Sequence, residues 1–361
     1  MKKYNVGILG ATGAVGQNYA QLLRDHPWFE ITYLAASPNS AGKPFKDAVK
    51  GKWFMDSDMP KNLEGLIVGD ASKVNDAIGK CDFVFSSFEG TKDEIQKIEM
   101  AYAEVGIPAV SNNSAHRWTH DVPMIIPEVN ANHLQLIDIQ RMNRGFDKGF
   151  VVTKPNCSIQ SYVAPLDALR RSGCFPNKLV ITTEQALSGA GYPGVPSLAI
   201  NDNVIPYISG EDEKTEKEPL RIFGSLGEME IVLNNNLQIF ATCTRVPVSN
   251  GHLATVYAEF EKPLPSENDI IKIWENYSSI SQDLDLPFAP KQPIIYRSEE
   301  DRPQPRKDRD SDKAMAVTVG RLKKYNDNAL RFVGLSHNTV RGAAGGAILT
   351  AELIAAKGYF K

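Results

Sequence analysis

The stretch Val6 to Gly16, VGILGATGAVG, decides the fold. Tyr4 to Leu9 reads as a short buried strand, and Gly10, Gly13 and Gly16 follow it directly. Val15, Tyr19, Leu22 and Leu23 then recur at helical spacing, so the glycines lie between a strand and a helix. Gly10 permits a tight turn, Gly13 lets the backbone approach a pyrophosphate, and Gly16 allows close helix packing. Thr12, Ala14 and Val15 complete the loop, and the helix N-terminus offers its amides to an anion. The pattern is Gly-x-x-Gly-x-x-Gly rather than the commoner Gly-x-Gly-x-x-Gly, but its place after a strand and before a helix points to dinucleotide binding.

Outward from this turn, a second strand, Glu30 to Ala36, runs into Ser37, Ser40 and Lys43. An enzyme preferring NAD usually places Asp or Glu here to hold the ribose hydroxyls. Hydroxyls and a lysine suit a 2′-phosphate instead, which predicts NADP. Apolar runs at Phe83 to Phe85 and Ile107 to Val110 end in the polar groups Ser86-Ser87 and Ser111 to Ser114. Polar clusters after buried strands mark the ligand-facing edge of a parallel sheet, and the spacing predicts a helix over Lys92 to Val105 between them. The first half is therefore expected to be a doubly wound, Rossmann-like domain.

A chain of 361 residues exceeds one ordinary core of about 150 residues, so two domains are expected. Apolar residues are 42% and charged residues 23%, as in soluble globular proteins. The net charge of -3 attracts neither nucleic acid nor an acidic membrane, so anion recognition falls to local Arg and Lys. MKKYNVGILGATG turns polar and Gly-rich too soon for a signal-peptide core, and no apolar run approaches a membrane span, so a cytoplasmic protein is expected. Cys81, Cys157, Cys174 and Cys243 form no Cys-x-x-Cys pair and have no His at ligand spacing, so no metal site is expected. Cys81, Cys174 and Cys243 read as small buried hydrophobes.

Beyond Cys157 the texture changes to strand runs at Lys178 to Glu184, Leu237 to Cys243 and Leu253 to Phe260. In the last, Ala254, Val256, Ala258 and Phe260 alternate with more polar neighbours, predicting a mainly antiparallel sheet with one face covered. A final helix, Thr339 to Ala356, carries Gly342, Gly345 and Gly346 and is expected to pack back on the nucleotide domain. The expected division is 1–156, completed by 338–361, and 157–337.

Thr153 to Gln160, TKPNCSIQ, lies between these halves. Gly149 to Thr153 reads as a strand, Pro155-Asn156 ends it, and Cys157 stands at the first turn of a helix beginning at Ser158. A helix N-terminus stabilises a thiolate and predicts a lowered pKa, and its amides can hold an oxyanion. Cys157 is the candidate nucleophile. Arg245 to His252, RVPVSNGH, reads as strand, Ser-Asn-Gly turn and returning strand, a hairpin that would place a guanidinium beside an imidazole. His26, His116, His120, His133 and His337 fall at helix ends or in loops, where capping or solvation accounts for them.

VGILGATGAVGQ, SNNSAHR, KPNCS, EQALSGAGYPG, RVPVSNGH and HNTVRGAAGGA together resemble aspartate-β-semialdehyde dehydrogenases over essentially the whole chain. EDRPQPRKDR, Glu300 to Arg309, resembles the archaeal and fungal branch; by residues alone it is a solvated loop. The resemblance implies Cys157 as nucleophile, His252 as acid-base catalyst, and Gln185 and Asn156 as residues that orient substrate at the thiol. It also implies Arg245 on the substrate carboxylate, Arg117 on phosphate, Glu211 on the substrate amine and Lys214 on phosphate, with Lys217 and Glu213 leaving that last register open. Ser87, Ser188, Gly189 and Asn338 match positions lining the nicotinamide cofactor, NADP. The implied reaction converts L-aspartyl 4-phosphate to L-aspartate 4-semialdehyde in a homodimer or homotetramer. Archaeal malonyl-CoA reductases share the fold and many motifs, and a non-catalytic NADP-binding regulator is the alternative of another class.

Overall fold

The computed structural model describes residues 3–360. Strands β1 (Tyr4–Leu9), β2 (Phe29–Ala36), β3 (Val68–Asp70), β4 (Phe83–Ser86), β5 (Ala109–Ser111) and β6 (Val151–Thr153) form one sheet in the order β3-β2-β1-β4-β5-β6. All of its pairings are parallel. The order reverses at β1, so the loop after β1 opens into the crevice where such sheets bind ligands. Gly10 has φ of +81°, and a Cβ there would lie 2.4 Å from the Ser87 carbonyl oxygen. Only glycine fits. A Cβ on Gly16 would meet the Gly10 carbonyl oxygen at 2.3 Å, so this glycine sets how closely the helix Ala14–Leu22 approaches its own loop. The helix Lys92–Glu104 starts at a capping box in which Thr91 and Glu94 satisfy each other's backbone amides.

The second sheet runs β10-β7-β11-β14-β13-β12, with β7 (Pro176–Gln185), β10 (Gln238–Arg245), β11 (His252–Phe260), β12 (Ile294–Arg297), β13 (Val317–Asn326) and β14 (Ala329–Ser336). A separate pair, β8 (Ser225–Leu226) and β9 (Ile231–Val232), stands apart. The sheet is mainly antiparallel as expected, through its three central pairings, while at its edges β10 joins β7 and β12 joins β13 in parallel. The expected hairpin from Arg245 to His252 does not form, because β7 lies between β10 and β11. The connecting residues instead cross the end of β7, where Leu187 N–H donates to the Val248 carbonyl at 2.7 Å and Val246 N–H to that of Gln185 at 3.1 Å. The Val246 amide and the Val248 carbonyl are thus paired with the end and continuation of β7 rather than with each other's strand across a tight turn.

Along β11, His252, Ala254, Val256, Ala258 and Phe260 are buried and their alternate neighbours are not. The buried face packs with the helices Val163–Arg171 and Glu267–Glu275, through Leu166, Leu169, Ile270 and Trp274. The opposite face carries Phe240, Val180 and Tyr257 side by side, with Phe240 52% and Val180 42% exposed. Met124, Ile126 and Val129, ahead of the expected boundary, also pack into this second core.

The C-terminal helix begins at Gly345 rather than Thr339, after a wider π-type turn over Val340–Ala344. It returns to the first domain and is buried nearly all round. Burying Ile348, Leu349, Leu353 and Ile354 contributes on the order of 6 to 12 kcal/mol before entropy is counted. Its Glu352 accepts a 2.7 Å hydrogen bond from buried His26 and two from the Phe288 amide. Among the described residues no helix is long and apolar enough to cross a membrane.

Candidate active site

Strand β6 ends at Thr153, and Asn156 then shapes the turn that carries Cys157: its Oδ1 accepts from the Ser158 amide at 2.8 Å and the Ser158 hydroxyl at 2.7 Å. One 3₁₀ turn, Ser158–Ser161, separates Cys157 from the helix Val163–Arg171. The expected lowering of the thiol pKa is not found. Burial pushes the Cys157 thiol up and the Glu211 carboxylate adds to this, against the pull of Lys154, Arg117 and Arg245. A single 3₁₀ turn aligns too few peptide dipoles to reverse that balance.

His252 opens β11, fully buried, with its Nε2 3.4 Å from Cys157 Sγ. Its Nδ1 accepts a 3.0 Å hydrogen bond from the Ala186 amide. The neutral ring therefore carries its proton on Nε2, facing the sulfur. Burial, then the charges of Arg245, His337 and Lys154, holds the imidazole pKa down to about 3. In this state His252 donates a hydrogen bond toward the sulfur and has no lone pair to take the thiol proton.

Glu211, at the start of the helix Glu211–Ile222, gathers the polar side chains around the thiol. Asn156 Nδ2 donates to both its oxygens at 3.0 Å, Gln185 Nε2 to one at 3.1 Å, and Lys214 Nζ lies 2.7 Å away. Burial acts to raise the Glu211 pKa, but Lys214, Gln185 and Asn156 together hold it below the ordinary value. It is a buried carboxylate that stays charged. Lys214 sits on Glu211 while Lys217 is exposed, one turn further along. Arg117 is buried and its nitrogens are engaged: NH1 with Glu218 at 2.8 Å, Nε with the Lys154 carbonyl at 3.0 Å and NH2 with the Asn112 carbonyl at 3.4 Å. Glu218 in turn accepts from the Asn156 amide at 2.6 Å. The geometry thus puts Arg117 behind the thiol loop rather than open to an anion.

Arg245, at the end of β10, donates from NH1 to the Ala186 carbonyl at 2.7 Å. A Cβ on Gly189 would approach that NH1 to 2.8 Å and His252 Nε2 to 3.1 Å. Arg245 and His252 are neighbours as expected, brought together through β7 and its following loop rather than by a hairpin.

Two adjoining cavities of about 460 and 310 Å³ lie between the loops that flank this centre, at Leu187-Ser188 and Ser249-Asn250, and the Gly-rich turn. Ser188, Ser249, Asn250 and His337 line the near one. Asn338 braces it by donating to Ser188 Oγ at 2.8 Å and accepting from the Gly251 amide at 2.8 Å. Gly10, Thr12, Gly13, Ala14, Ser37 and Ser87 line the far one. Val15 packs its side chain on the first core, Gly16 lies against its own loop, and the Ser40 amide closes a turn onto the Ser37 carbonyl; these three and Gly189 lie outside the lining of both cavities. Lys43 bonds the Asn39 carbonyl, and Lys52 supplies the cation lining the far cavity.

Sequence reasoning missed Lys52, Phe54 and Tyr192, since no local pattern distinguishes them from surface residues. His26, His116, His133 and His337 are buried rather than solvated, and His26 and His337 do cap, accepting on Nδ1 from the Trp28 and Phe29 amides and the Val340 amide. Glu300 to Arg309 is no simple solvated loop either: Asp308 is buried against Arg302, and Arg309 donates to the Asn250 carbonyl at 3.2 Å, bracing the turn before His252.

A doubly wound domain joined to a second sheet, with a thiol from the first in contact with an imidazole from the second, is the architecture of a semialdehyde dehydrogenase. Family models for the semialdehyde dehydrogenase NAD binding domain and dimerisation domain match residues 5–137 and 166–341. The aspartate-semialdehyde dehydrogenase of Archaeoglobus fulgidus is 44% identical over 98% of each chain. A crystal structure of the Candida albicans enzyme with NADP superposes with a TM-score of 0.89, at 37% identity over 99% of this chain and 100% of that one. The malonyl CoA reductase (NADP) of Metallosphaera sedula is 41% identical over 98% of this chain and 97% of its own. The chain belongs to the aspartate-semialdehyde dehydrogenase family.

Proposed function

We propose that this protein is an NADP-dependent aspartate-semialdehyde dehydrogenase that reduces L-aspartyl 4-phosphate to L-aspartate 4-semialdehyde, in the biosynthesis of lysine, methionine and threonine. The observation that carries this reading is the contact of Cys157 Sγ with His252 Nε2 at 3.4 Å, beside the charged carboxylate of Glu211. The thiolate of Cys157 attacks the acyl phosphate, the carbonyl oxygen becomes an oxyanion, and its collapse expels phosphate to leave a thioester. The Nε2–H of His252 points to where that oxyanion forms, as a neutral donor. NADPH, when bound, supplies a hydride to the thioester carbon. The resulting thiohemiacetal oxygen faces the same imidazole, and rupture of the C–S bond returns the thiolate.

Arg245 takes the substrate α-carboxylate and Glu211 its amine, while Lys214 stands beside them for the phosphate. Arg117 adds positive charge from behind. The cradle fits a dinucleotide: a side chain at Gly10 would collide with Ser87, and Ser37 and Lys52 are placed for a 2′-phosphate. Two domains, 1–156 with 338–361 and 157–337, are the working division. The exposed row of Phe240, Val180 and Tyr257 supports self-association as a homodimer or homotetramer. Four free cysteines support a cytoplasmic setting.

Malonyl-CoA reduction is the second reading, favoured by the Metallosphaera relative. The malonyl group carries no α-amino group to pair with Glu211. Oxidation of aspartate semialdehyde with NADP, with and without phosphate, run beside malonyl-CoA reduction with NADPH, separates the two. Phosphate-dependent semialdehyde oxidation supports the first reading; malonyl-CoA turnover alone reverses it. The alternative of a non-catalytic regulator fails if either reaction turns over.

A further inference from the structure

Lys154 is three residues before the nucleophile and only 2% exposed. Its ammonium has one hydrogen-bond acceptor, the Pro155 carbonyl at 2.8 Å. Carboxylates on the surrounding walls are committed elsewhere, Glu218 to Arg117 and Glu128 to Arg341, each at 2.8 Å or less. A buried cation without an ionic partner is costly, and proteins retain one where it meets an opposite charge or serves chemistry. The segment carrying Lys154 is pinned by the π-type turn over Val340–Ala344 and the first turn of the C-terminal helix. A Cβ on Gly342 would come within 2.8 Å of Cys157 Cβ, and one on Gly346 within 3.1 Å of Lys154 Cε. Those glycines are four residues apart, so the thiol stem and the lysine stem rest against one short segment of the chain. That segment leaves room for both side chains because these two positions lack a Cβ.

We propose that Lys154 is the counter-charge of Cys157, a positioning residue whose buried ammonium stabilises the thiolate through space. The assignment rests on Cys157 being the nucleophile and adds how it becomes ionised. His252 offers no lone pair to the sulfur, so the thiol proton leaves for solvent and the negative charge left on sulfur faces Lys154 on one side. The other charged groups around the sulfur are Glu211 from its helix, which opposes ionisation, and Arg117 and Arg245, which favour it. Around the lysine stand Arg117, Glu218, Arg341 and Glu128. Burial holds the Lys154 pKa down to about 7, and Cys157 is the strongest of the charges acting to raise it. The two groups titrate as a pair, and each charge supports the other.

The test is the pH profile of Cys157 alkylation by iodoacetamide, read by mass spectrometry of the Cys157 peptide. In Lys154→Met the midpoint should move up by about one pH unit or more, slowing alkylation at neutral pH by roughly tenfold. Lys154→Arg should restore most of the shift. Identical profiles for wild type and Lys154→Met would overturn the proposal. Should the lysine variants fail to fold, the reciprocal measurement uses Cys157→Ala: the ε-carbon NMR titration of Lys154 should move to lower pH than in wild type, because coupling acts equally in both directions. An unchanged lysine titration overturns the proposal as surely. Neither readout needs turnover, so failure here is distinct from failure of Cys157 as nucleophile, which the activity of Cys157→Ala reports.

Discussion

Phe54 and Tyr192 stack across the cofactor crevice with ring centroids 4.9 Å apart and planes within 4° of parallel. Phe54 comes from the nucleotide-binding side of the crevice and Tyr192 from the loop after β7, and both line the two adjoining cavities. The pair therefore bridges the groove at its midpoint. Aromatic stacks of this kind contribute about 0.5–1.5 kcal/mol beyond buried area. Phe54→Ala should weaken NADP binding several-fold while leaving kcat at saturating cofactor near wild type. Fluorescence titration of NADPH decides it, and an unchanged dissociation constant would show that the stack takes no part in holding the cofactor.

Cys157→Ala should abolish turnover with NADP affinity near wild type, since the thiol lies on the loop after β6 and the Gly10 turn after β1. Mass spectrometry of enzyme trapped with substrate should find the acyl group on Cys157. Finding it on Cys81, Cys174 or Cys243, all buried, would remove Cys157 from the mechanism.

Lys52 lines the far cavity together with Ser37, where Lys43 does not. Ser37→Asp should repel a 2′-phosphate, and Lys52→Ala should withdraw an attraction to it. Both should lower the kcat/KM ratio of NADP to NAD, Ser37→Asp more strongly. A ratio that Lys52→Ala leaves unmoved places the phosphate elsewhere.

Arg245→Lys keeps the charge but loses the planar fork that binds a carboxylate through two parallel hydrogen bonds. The expected loss in kcat/KM corresponds to about 1.5–3 kcal/mol. Alkylation of Cys157 and binding of NADP should change little. Wild-type kcat/KM for the semialdehyde would show Arg245 to be a brace for Ala186 alone.

His133 is buried between Asn130 and the Gly224 carbonyl, and burial lowers its pKa from 6.5 to about 4. The folded state then binds fewer protons than the unfolded state between those two values, so stability is full above pH 6.5 and falls on acidification toward pH 4. The slope from one such group is about 1.4 kcal/mol per pH unit. Glu99 and Glu352, whose pKa values burial raises, contribute with the opposite sign over their own range. A difference measurement isolates the imidazole: His133→Gln should be less acid-sensitive than wild type between pH 6.5 and 4 in urea titrations. Parallel curves would show that His133 takes up its proton while folded.

The sequence by itself determined the nucleotide half of this protein, since the turn at Gly10 to Gly16 is a local object. A positive φ, a close carbonyl and a helix start all arise from residues adjacent in the chain, and the strand and helix periods flanking them could be read directly. Its motifs also singled out Cys157, Glu211, Arg245 and His252 as candidates for the chemistry, and the fold gathers them around one thiol. Only the tertiary structure decided how those side chains meet. The insertion of β7 between β10 and β11 is a long-range pairing that no turn sequence specifies, and it replaced the hairpin. The protonation states of Cys157 and His252 were likewise beyond reading, because burial and the amide of Ala186, from another strand's end, set them. In the sequence Lys154 is one more charged residue before a proline; its burial comes from a segment nearly two hundred residues away, where Gly346 leaves room for its stem. Local backbone chemistry is written in neighbouring residues, whereas desolvation and charge pairing depend on surfaces that exist only once distant segments have packed.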